Sequence, residues 1–584
     1  MRKIVSASRL AVFALCALSL AGWPAHGQGK IKKPALVRQG MVQDWSHRHV
    51  VYPRGGSLRT LMILQHDPRA MQSWQAASRA NWHRPFKGRN FKKSGFHRDW
   101  SISLGAGGTA PAMYPAKYNF DVNATPSCTN DFIVYPVNAA GSATQPNLVA
   151  FNNLYSGTAG GAGVCNRGTP PTGDDGVSAT TMWSYNVNGG AVLTSPTLSL
   201  DGTKVAFVET VGGVAHFHVL AWKSGDGVGS NLQTVTGPVT IDGTLLHPFA
   251  TNAPVAGSGT ASDLTLGSAA DTLSSPFVDY YNDLAYIGND TGTLYRVKDV
   301  FCFTLACSGG TTPAPSLDTT WGGSGALATG CAGKLSGPVV DGVTGNIFVG
   351  CADGKLYGFT SAGVALASSP VTVGDGTAKG GIVDPPMLDV TNGFVYVVSG
   401  SSPSSGPAVL VQVKESNLTV TSTATLGKGN VFNLHAPSFN DAYFSSGTSS
   451  NWLLYEWAYD SGGTQIELYA AAFDGSRNMT AGTPANASFV GGSTVNQFSP
   501  TTEFLNGAND LLFVSGLSGA SPNFFEHNIN TFPVAYPAAA AATVPGGTSG
   551  IIVDNASTSA QASSIYFSGL GANTAVKLTQ AGLN

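Results

Sequence analysis

The 584-residue chain contains 73 glycines, and 42% of its residues are hydrophobic whereas only 11% are charged. This profile is typical of short strands joined by glycine-rich turns, and it excludes a helix-rich enzyme and a disordered chain. The net charge of −2 hides an asymmetry, because residues 28–99 contain 15 Lys/Arg against three Asp, so the rest of the mature chain is acidic.

The N-terminus has the three parts of a signal peptide. Arg2, Lys3 and Arg9 form a positive region, an apolar run covers Leu10–Leu20, and small residues near Gly27 suit cleavage before Gln28. The apolar run is too short to cross a bilayer, and no later segment has the pattern of a membrane helix. We therefore predict a signal peptide at 1–27 and an exported protein, periplasmic or extracellular, without an integral membrane segment.

Residues 28–98 form the predicted basic arm, which is partly helical because Ser57–Ala80 carries an imperfect helical stripe. Two hypotheses account for its charge. The arm folds back on the acidic body, which we favour because both are on one chain, or it binds an anionic partner. Nucleic acid is not expected for an exported protein. Five histidines in or beside this arm match no metal-ligand spacing: His47, His49, His66, His83 and His97.

A repeated unit organises the chain from residue 99 to 584. Clear copies begin at Ser195-Pro196, Ser275-Pro276, Gly337-Pro338 and Pro385-Pro386. Each copy has a short strand ending near an Asp, a tight turn, a β-branched or aromatic strand, a glycine-rich turn and another strand. Weaker copies begin near Phe120, Ala436, Ser499 and Ser549. The pattern predicts an all-β fold, a single β-propeller of four-stranded antiparallel blades, with eight blades favoured over seven.

The fourth strands are harder to find in the sequence. Trp183-Ser184-Tyr185 and Thr320-Trp321 are predicted outer strands. The last unit ends near Gln580 and has no room for its own fourth strand, so Trp100–Leu104 is predicted to close the ring and remove its exposed edge.

Two copies resemble known propeller repeats. Ser195–Glu209, SPTLSLDGTKVAFVE, resembles the repeat of TolB-type propellers, and Val340–Phe359 resembles the repeat of pyrroloquinoline-quinone-type propellers. The resemblance implies the fold and not an activity. The adjacent-cysteine pair of the quinone-dependent dehydrogenases, their calcium ligands and the Asp boxes of sialidases are missing from this sequence.

Six cysteines remain in the mature chain, an even number that suggests disulfide bonds in an exported protein. The candidates are Cys128, Cys165, Cys302, Cys307, Cys331 and Cys351. Of the 15 pairings that six cysteines allow, the favoured set joins Cys302 with Cys307, Cys331 with Cys351, and Cys128 with Cys165. No Cys-x-x-Cys motif indicates haem or zinc.

Several residues invite a functional interpretation, and each has a structural alternative that we favour. Asp201, Asp279, Asp341 and Asp389 are expected to cap turns, because a residue repeated in every blade does not make one site. Asn289–Gly292 and Ala352–Gly354 resemble fragments of calcium loops and are expected to be hairpin turns. No cofactor is predicted, and Ca²⁺ is the one metal left open.

Two strands carry side chains that could bind a ligand. His216 and His218 alternate on one strand face, where satisfied histidines are favoured over a metal site. Trp452, Tyr455 and Trp457 lie in an aromatic strand, where packing is favoured over carbohydrate stacking.

No catalytic motif stands out, so no catalytic residue is assigned. We predict an exported, non-enzymatic propeller that binds a protein or glycan partner. The first alternative is a secreted enzyme, either a quinone-type oxidoreductase or a polysaccharide hydrolase or lyase, and the second is a component of cell-envelope assembly.

Overall fold

Eight β-sheets, each built on four antiparallel strands, surround a common centre in the computed structural model of this chain. The structure describes residues 40–53, 67, 69–70, 96–155 except 123, 165, 179–229, 234–235, 237–248 except 244, 259–302, 314–445, 448–464, 466–488, 497–506, 509–516, 522–534 except 532, 540–554 and 564–580. The predicted signal peptide, most of the predicted helical stripe and Cys307 lie outside these residues.

Three short strands precede the repeats. They are β1 (Met41–Gln43), β2 (Val50–Val51) and β3 (Phe96–Ser103), with helix α1 (Ser46–His49) between the first two. Each of the three joins a different sheet of the ring, so the N-terminal region is paired with blades at three places.

The first four blades follow in chain order. Blade 1 contains β4 (Ala116–Asn119), β5 (Phe132–Pro136), β6 (Leu148–Asn152) and β7 (Thr180–Val187). Blade 2 contains β8 (Thr197–Leu198), β9 (Lys204–Val211), β10 (Val214–Ala221) and β13 (Thr260–Thr265), and the connection before β13 adds β11 (Val239–Ile241) to blade 1 and β12 (Leu246–Pro248) to blade 2. Blade 3 contains β14 (Phe277–Asp279), β15 (Leu284–Gly288), β16 (Thr293–Lys298) and a divided fourth strand, β17 (Ser316–Leu317) and β18 (Ala326–Ala328). Blade 4 contains β19 (Val339–Val340), β20 (Ile347–Gly350), β21 (Lys355–Phe359) and β22 (Val371–Thr372).

The last four blades complete the ring. Blade 5 contains β23 (Met387–Asp389), β24 (Phe394–Ser399), β25 (Val409–Lys414) and β26 (Val420–Thr425). Blade 6 contains β27 (Ser438–Phe439), helix α2 (Asp441–Ser445), the 3₁₀ turn Ser449–Asn451, β28 (Leu453–Tyr459), β29 (Ile466–Phe473) and β30 (Met479–Ser488). Blade 7 contains β31 (Thr502–Asn506), β32 (Asn509–Ser515), β33 (Phe524–Asn528) and β34 (Ala540–Ala542), and blade 8 contains β35 (Ile552–Asp554), β36 (Ser564–Gly569), β37 (Thr574–Gln580) and β3.

The fold is therefore an eight-bladed propeller, as predicted, and an N-terminal strand closes it. β3 pairs antiparallel with β37, from Phe96 opposite Gln580 to Ser103 opposite Thr574. The predicted closing strand at Trp100–Leu104 is confirmed and begins four residues earlier. The predicted outer strand at Thr320-Trp321 is wrong: both residues lie in a turn between β17 and β18, where Trp321 is buried against Tyr286.

A serine at the start of the inner strand has a structural role in blades 3, 4, 7 and 8. A serine hydroxyl just before the inner strand accepts a hydrogen bond from a backbone N–H at the end of the second strand, at 2.6–3.0 Å. The pairs are Ser274 with Gly288, Ser336 with Gly350, Ser499 with Ser515, and Ser549 with Ser568. In blades 3, 4 and 7 a proline follows this serine by one or two residues. It is tolerated because the inner strand is an edge of its sheet, where a missing N–H costs little.

The ring has two faces. The Ser-Pro face holds the segments that lead into the inner strands, and the hairpin face holds the turns from each inner strand to the second strand. Every inner strand runs from the Ser-Pro face to the hairpin face. This common direction fixes the path of any segment that pairs with an inner strand.

Candidate functional site: the centre of the ring

Residues Gly40–Pro53, called here the channel segment, occupy the centre of the ring. β1 pairs antiparallel with the inner strand of blade 1, with Val42 opposite Tyr118, and β2 pairs in parallel with the inner strand of blade 5, with Val50 opposite Leu388. The segment therefore rises along blade 1 from the hairpin face, turns at α1, and descends along blade 5, which lies across the ring. Residues 40–53 of the basic arm therefore agree with the hypothesis that the arm folds back on the body.

Trp45 fills the middle of the channel. It is 1% exposed, and its ring lies 6.2 Å from that of Phe277 in blade 3 and 5.5 Å from that of His49. A Cβ atom at Gly337 of blade 4 would lie only 3.1 Å from Trp45 Cη2. Blades 2 and 3 carry serine at this position, Ser195 and Ser275. Gly337 therefore provides space for the indole.

Arg48 and His49 bind the channel segment to blades 5, 6 and 7. The Arg48 guanidinium donates to Ser438 Oγ at 3.3 Å and to the carbonyl oxygen of Thr501. His49 Nδ1 lies 3.0 Å from the carbonyl oxygen of Pro385. Burial and the nearby Arg48 charge lower the pKa of His49 to about 3, so the ring is neutral at physiological pH and donates from Nδ1.

Asp44 shapes the turn at the top of the channel segment. Its Oδ1 accepts hydrogen bonds from the Ser46 backbone N–H at 3.0 Å and the Ser46 hydroxyl at 2.7 Å, and lies 2.9 Å from His47 Nδ1. Burial alone would raise the pKa of Asp44, but the charge of His47 and these hydrogen bonds outweigh it and hold the pKa below its usual value. The turn is thus fixed by contacts within the segment.

A second anchor follows the channel segment. The Arg69 guanidinium donates to the carbonyl oxygen of Val278 at 2.9 and 3.0 Å and lies 4.2 Å from the centre of the Phe277 ring. Asp67 lies 3.4 Å from Arg69 Nε and accepts a hydrogen bond from the Tyr52 hydroxyl at 2.5 Å. Asp67 and Arg69 therefore connect the end of the segment to blade 3.

Between blades 5 and 6, dissimilar titratable groups lie beside the channel segment. Asp384 accepts a hydrogen bond from the Ala436 N–H at 2.8 Å, and its Oδ2 is 3.8 Å from His435 Nδ1. Burial raises the pKa of Asp384 to about 7 and lowers that of His435 to about 4. Burial also raises the pKa of Glu456 well above its usual value. Because these three side chains are only 4–6% exposed, the cluster can hold a proton but is closed to a substrate in this conformation.

Sequence reasoning missed this cluster, although the repeat contains a signal for it. Asp384 precedes Pro385-Pro386 and His435 precedes Ala436-Pro437, where stronger copies have serine or another small residue. A charged or titratable residue two positions before the proline of the repeat therefore marks a place where the blade faces something other than its own second strand.

The repeated aspartates are turn caps, as the sequence predicts. Each carboxylate accepts a hydrogen bond at 2.7–3.0 Å from a backbone N–H two or three residues later, on Thr203, Tyr281, Val343 and Asn392 in turn. These carboxylates accept hydrogen bonds within their own turns, and Asp389 Oδ2 also accepts one from the Tyr443 hydroxyl at 2.6 Å. They do not converge on one point.

The calcium-loop fragments also have local partners. Asn289 Oδ1 accepts from the N–H groups of Thr291 and Thr293, and Asp290 pairs with Lys334 at 3.2 Å. Asp353 accepts from the N–H of Lys355 and from the Tyr357 hydroxyl. Within the described ranges, one group of side chains places three metal-ligand atoms close together, Cys331, Cys351 and Asp353, and two of these three atoms are joined in a disulfide. Ca²⁺ stays the alternative that the sequence left open.

Two of the predicted disulfide bonds are confirmed. Cys128–Cys165 has a Cα–Cα distance of 5.5 Å and Cys331–Cys351 one of 6.0 Å. Cys302 is also disulfide-bonded, and its predicted partner Cys307 lies outside the described residues.

The candidate histidines and aromatic residues lie among the protein's own side chains. His216 Nδ1 is 2.9 Å from Asp263 Oδ1, and His218 bridges Glu209 at 3.0 Å and the Ser262 carbonyl oxygen at 2.8 Å. Trp452, Tyr455 and Trp457 are 6%, 0% and 1% exposed. Trp452 lies 4.1 Å from the Arg477 guanidinium, and Trp457 stacks on Phe498 at 5.6 Å. The structure places all three aromatic rings in packing positions.

This chain is similar in structure to solved proteins with which it shares little sequence identity. No family model and no curated protein matches the sequence. The chain is similar to BamB from Moraxella catarrhalis (TM-score 0.40, 12% identity, 83% of this chain and 97% of that one) and to the Dos1 propeller (TM-score 0.42, 8% identity, 83% and 95%). It is also similar to the computationally designed Ika8 protein (TM-score 0.41, 9% identity, 81% and 98%). The eight-bladed assignment rests on the sheet order described above.

None of the helices in the described ranges has both the length and the hydropathy that crossing a membrane requires.

Proposed function

We propose that this chain is an exported, non-enzymatic scaffold that binds a protein partner through the loops and faces of its ring. One observation carries the proposal: the channel segment occupies the ring centre, with Val42, Trp45 and Val50 each no more than 1% exposed. Because the segment fills the centre, the surface left for a partner is the rim of the ring. Loops at such a surface vary easily when a rigid scaffold holds them.

An enzyme needs several dissimilar polar groups around one open pocket. In the described ranges the repeated aspartates cap their own turns. The dissimilar groups Asp384, His435 and Glu456 lie buried beside the channel segment. Both observations support a binding role over a quinone-type oxidoreductase or a polysaccharide hydrolase or lyase.

A protein partner is favoured over a glycan because the aromatic strand that suggested sugar stacking is buried. Among the described residues the large hydrophobic side chains with high exposure are Tyr281 at 63%, Val364 at 63% and Val420 at 42%. Single apolar side chains of this kind suit a protein interface better than a stacking platform. The disulfide bonds support export to an oxidising compartment.

Site-specific photocrosslinking tests the proposal. A crosslinking amino acid at Tyr281 probes the hairpin face, and one at Ser142, an exposed residue of a loop between second and third strands, probes the Ser-Pro face. We expect one protein to be captured from living cells at one position and not at the other, with each position the control for the other. Capture of polysaccharide would favour the glycan alternative. Turnover of a polysaccharide or alcohol, with no crosslinked protein from either face, would refute the scaffold function.

A further inference from the structure

We propose that the ring centre is a peptide-binding site and that the channel segment is its built-in ligand. This goes beyond the rim-binding function above. The segment is not needed to close the ring, because β3 closes it on β37. Its covalent connection to β3 is residues 54–95, which include the anchor of Asp67 and Arg69 on blade 3.

The main chain of the segment binds by strand addition. β1 extends the sheet of blade 1 and β2 extends the sheet of blade 5, each at the inner edge. Further backbone hydrogen bonds join Gly40 N–H to the Leu200 carbonyl at 2.9 Å and Val390 N–H to the Val51 carbonyl at 3.2 Å. Addition of a strand to an open sheet edge is a recurrent mode of peptide recognition, in which the backbone provides affinity and the side chains provide specificity.

Two side chains provide the specificity. Trp45 lies in the space opened by Gly337, and Arg48 joins Ser438 of blade 6 to Thr501 of blade 7. Trp and Arg are among the residue types that dominate binding energy at interfaces, and here Trp45 is buried and Arg48 is half-buried. The site therefore takes a peptide that is extended, turns once and carries Trp three residues before Arg.

The covalent connection explains why a segment of the same chain fills the ring centre. A covalent link gives a ligand an effective concentration in the millimolar range for a short flexible connection and less for a longer one, without adding any contact. Cutting the link after folding should leave the fragment held only by non-covalent contacts, those of the channel segment and those of Asp67 and Arg69, and therefore exchangeable.

A protease recognition sequence inserted between Lys93 and Ser94 of the full mature chain makes this test possible. After cleavage of the folded protein, we expect the N-terminal fragment to remain with the ring on size-exclusion chromatography. Excess fluorescein-labelled peptide of residues 40–53 should then replace it at one peptide per ring, measured by fluorescence anisotropy. The Trp45→Ala peptide should bind at least about a hundredfold more weakly, since removal of a buried Trp costs that much or more.

The Gln43→Ala peptide is the matched control. The Gln43 side chain makes no hydrogen bond among the described residues, so this peptide should bind within about threefold of the parent, as surface changes do. A second measurement uses the uncleaved Trp45→Ala, Arg48→Ala chain. The parent peptide added in trans should raise its melting temperature, and the Trp45→Ala peptide should not.

Three results would overturn the proposal. The cleaved ring could unfold as soon as the fragment leaves, which would make the segment part of the fold. The ring could stay folded and fail to rebind the labelled peptide. The fragment could resist exchange while the parent peptide leaves the melting temperature of the double variant unchanged.

Discussion

Asp99 and Lys577 form a buried ion pair across the seam where the ring closes. Asp99 lies on the closing strand β3 and Lys577 on the neighbouring strand β37, and their side chains are 2% and 0% exposed. The Thr579 hydroxyl donates to the same carboxylate. On the side of blade 1, Lys117 pairs with Asp554 of blade 8 at 3.0 Å. The junction of the first and last blades is thus held by charge as well as by strand pairing.

Removing one partner of the seam pair should destabilise the ring strongly. Asp99→Ala leaves the Lys577 ammonium buried without its counter-charge, which costs about 3–5 kcal/mol. We expect a loss of that size in the free energy of unfolding, measured by urea denaturation. Asp201→Ala is the control, since it removes a turn cap and should cost about 1 kcal/mol. Equal losses in the two variants would show that the seam pair has no special weight.

Enlarging Gly337 should act through Trp45. Gly337→Ala places a methyl group 3.1 Å from the indole and 2.8 Å from Pro385 Cγ, and overpacking of this kind costs about 1–3 kcal/mol. The part of this cost that comes from Trp45 should disappear in a Trp45→Ala background, whereas the contact with Pro385 remains, and a double-mutant cycle measures the coupling. Gly475→Ala, with open space around its Cβ, should change stability by less than about 0.5 kcal/mol. Additive effects of the first two substitutions would contradict this relationship.

Glu415 should weaken the fold at alkaline pH. Burial and the neighbouring Asp341 raise the pKa of Glu415 to about 8, whereas its ordinary value is 4.5. The folded state therefore holds the proton more tightly, so this stability is complete below pH 4.5 and is lost as the pH rises through 8. Between pH 5 and pH 8 we expect Glu415→Gln to gain at least about 1 kcal/mol relative to the parent, measured by denaturation across that range. A pH-independent difference would contradict the assignment.

His527 should weaken the fold in acid. Its ring is 2% exposed, has no hydrogen-bond partner among the described residues and lies 5.5 Å from Trp457. Burial lowers its pKa from 6.5 to about 4, so the stability it contributes is present above pH 6.5 and is lost as the pH falls towards 4. His527→Phe should therefore lose about 2 kcal/mol less than the parent between pH 7.5 and pH 5.

His216 provides a control of opposite sign for that experiment. Its hydrogen bond to Asp263 raises its pKa, so its contribution is present in acid and is lost as the pH rises. His216→Phe should lose more stability than the parent on acidification. If His216→Phe and His527→Phe responded to pH in the same direction, the two environments would have been misassigned.

The repeat and the closing strand could be predicted because their signals are local. Ser-Pro, a turn Asp and alternating strands recur in neighbouring residues, and the short last unit requires a strand from elsewhere. The channel segment could not be found in this way. β1 and β2 span three and two residues, and β2 pairs with a strand more than 300 positions away. The raised pKa of Asp384 likewise arises from burial by distant elements, which its own sequence neighbours do not encode.

The position of Arg48 has a consequence for how the protein is made. Its partner Thr501 is 453 residues further along the chain, so Arg48 cannot complete its contacts until most of the chain has been synthesised. Contacts between such distant residues form slowly because a very long loop must close first. The channel segment is therefore synthesised early and fixed in place late, and until then its apolar residues Val42, Trp45 and Val50 stay without their partners in the ring.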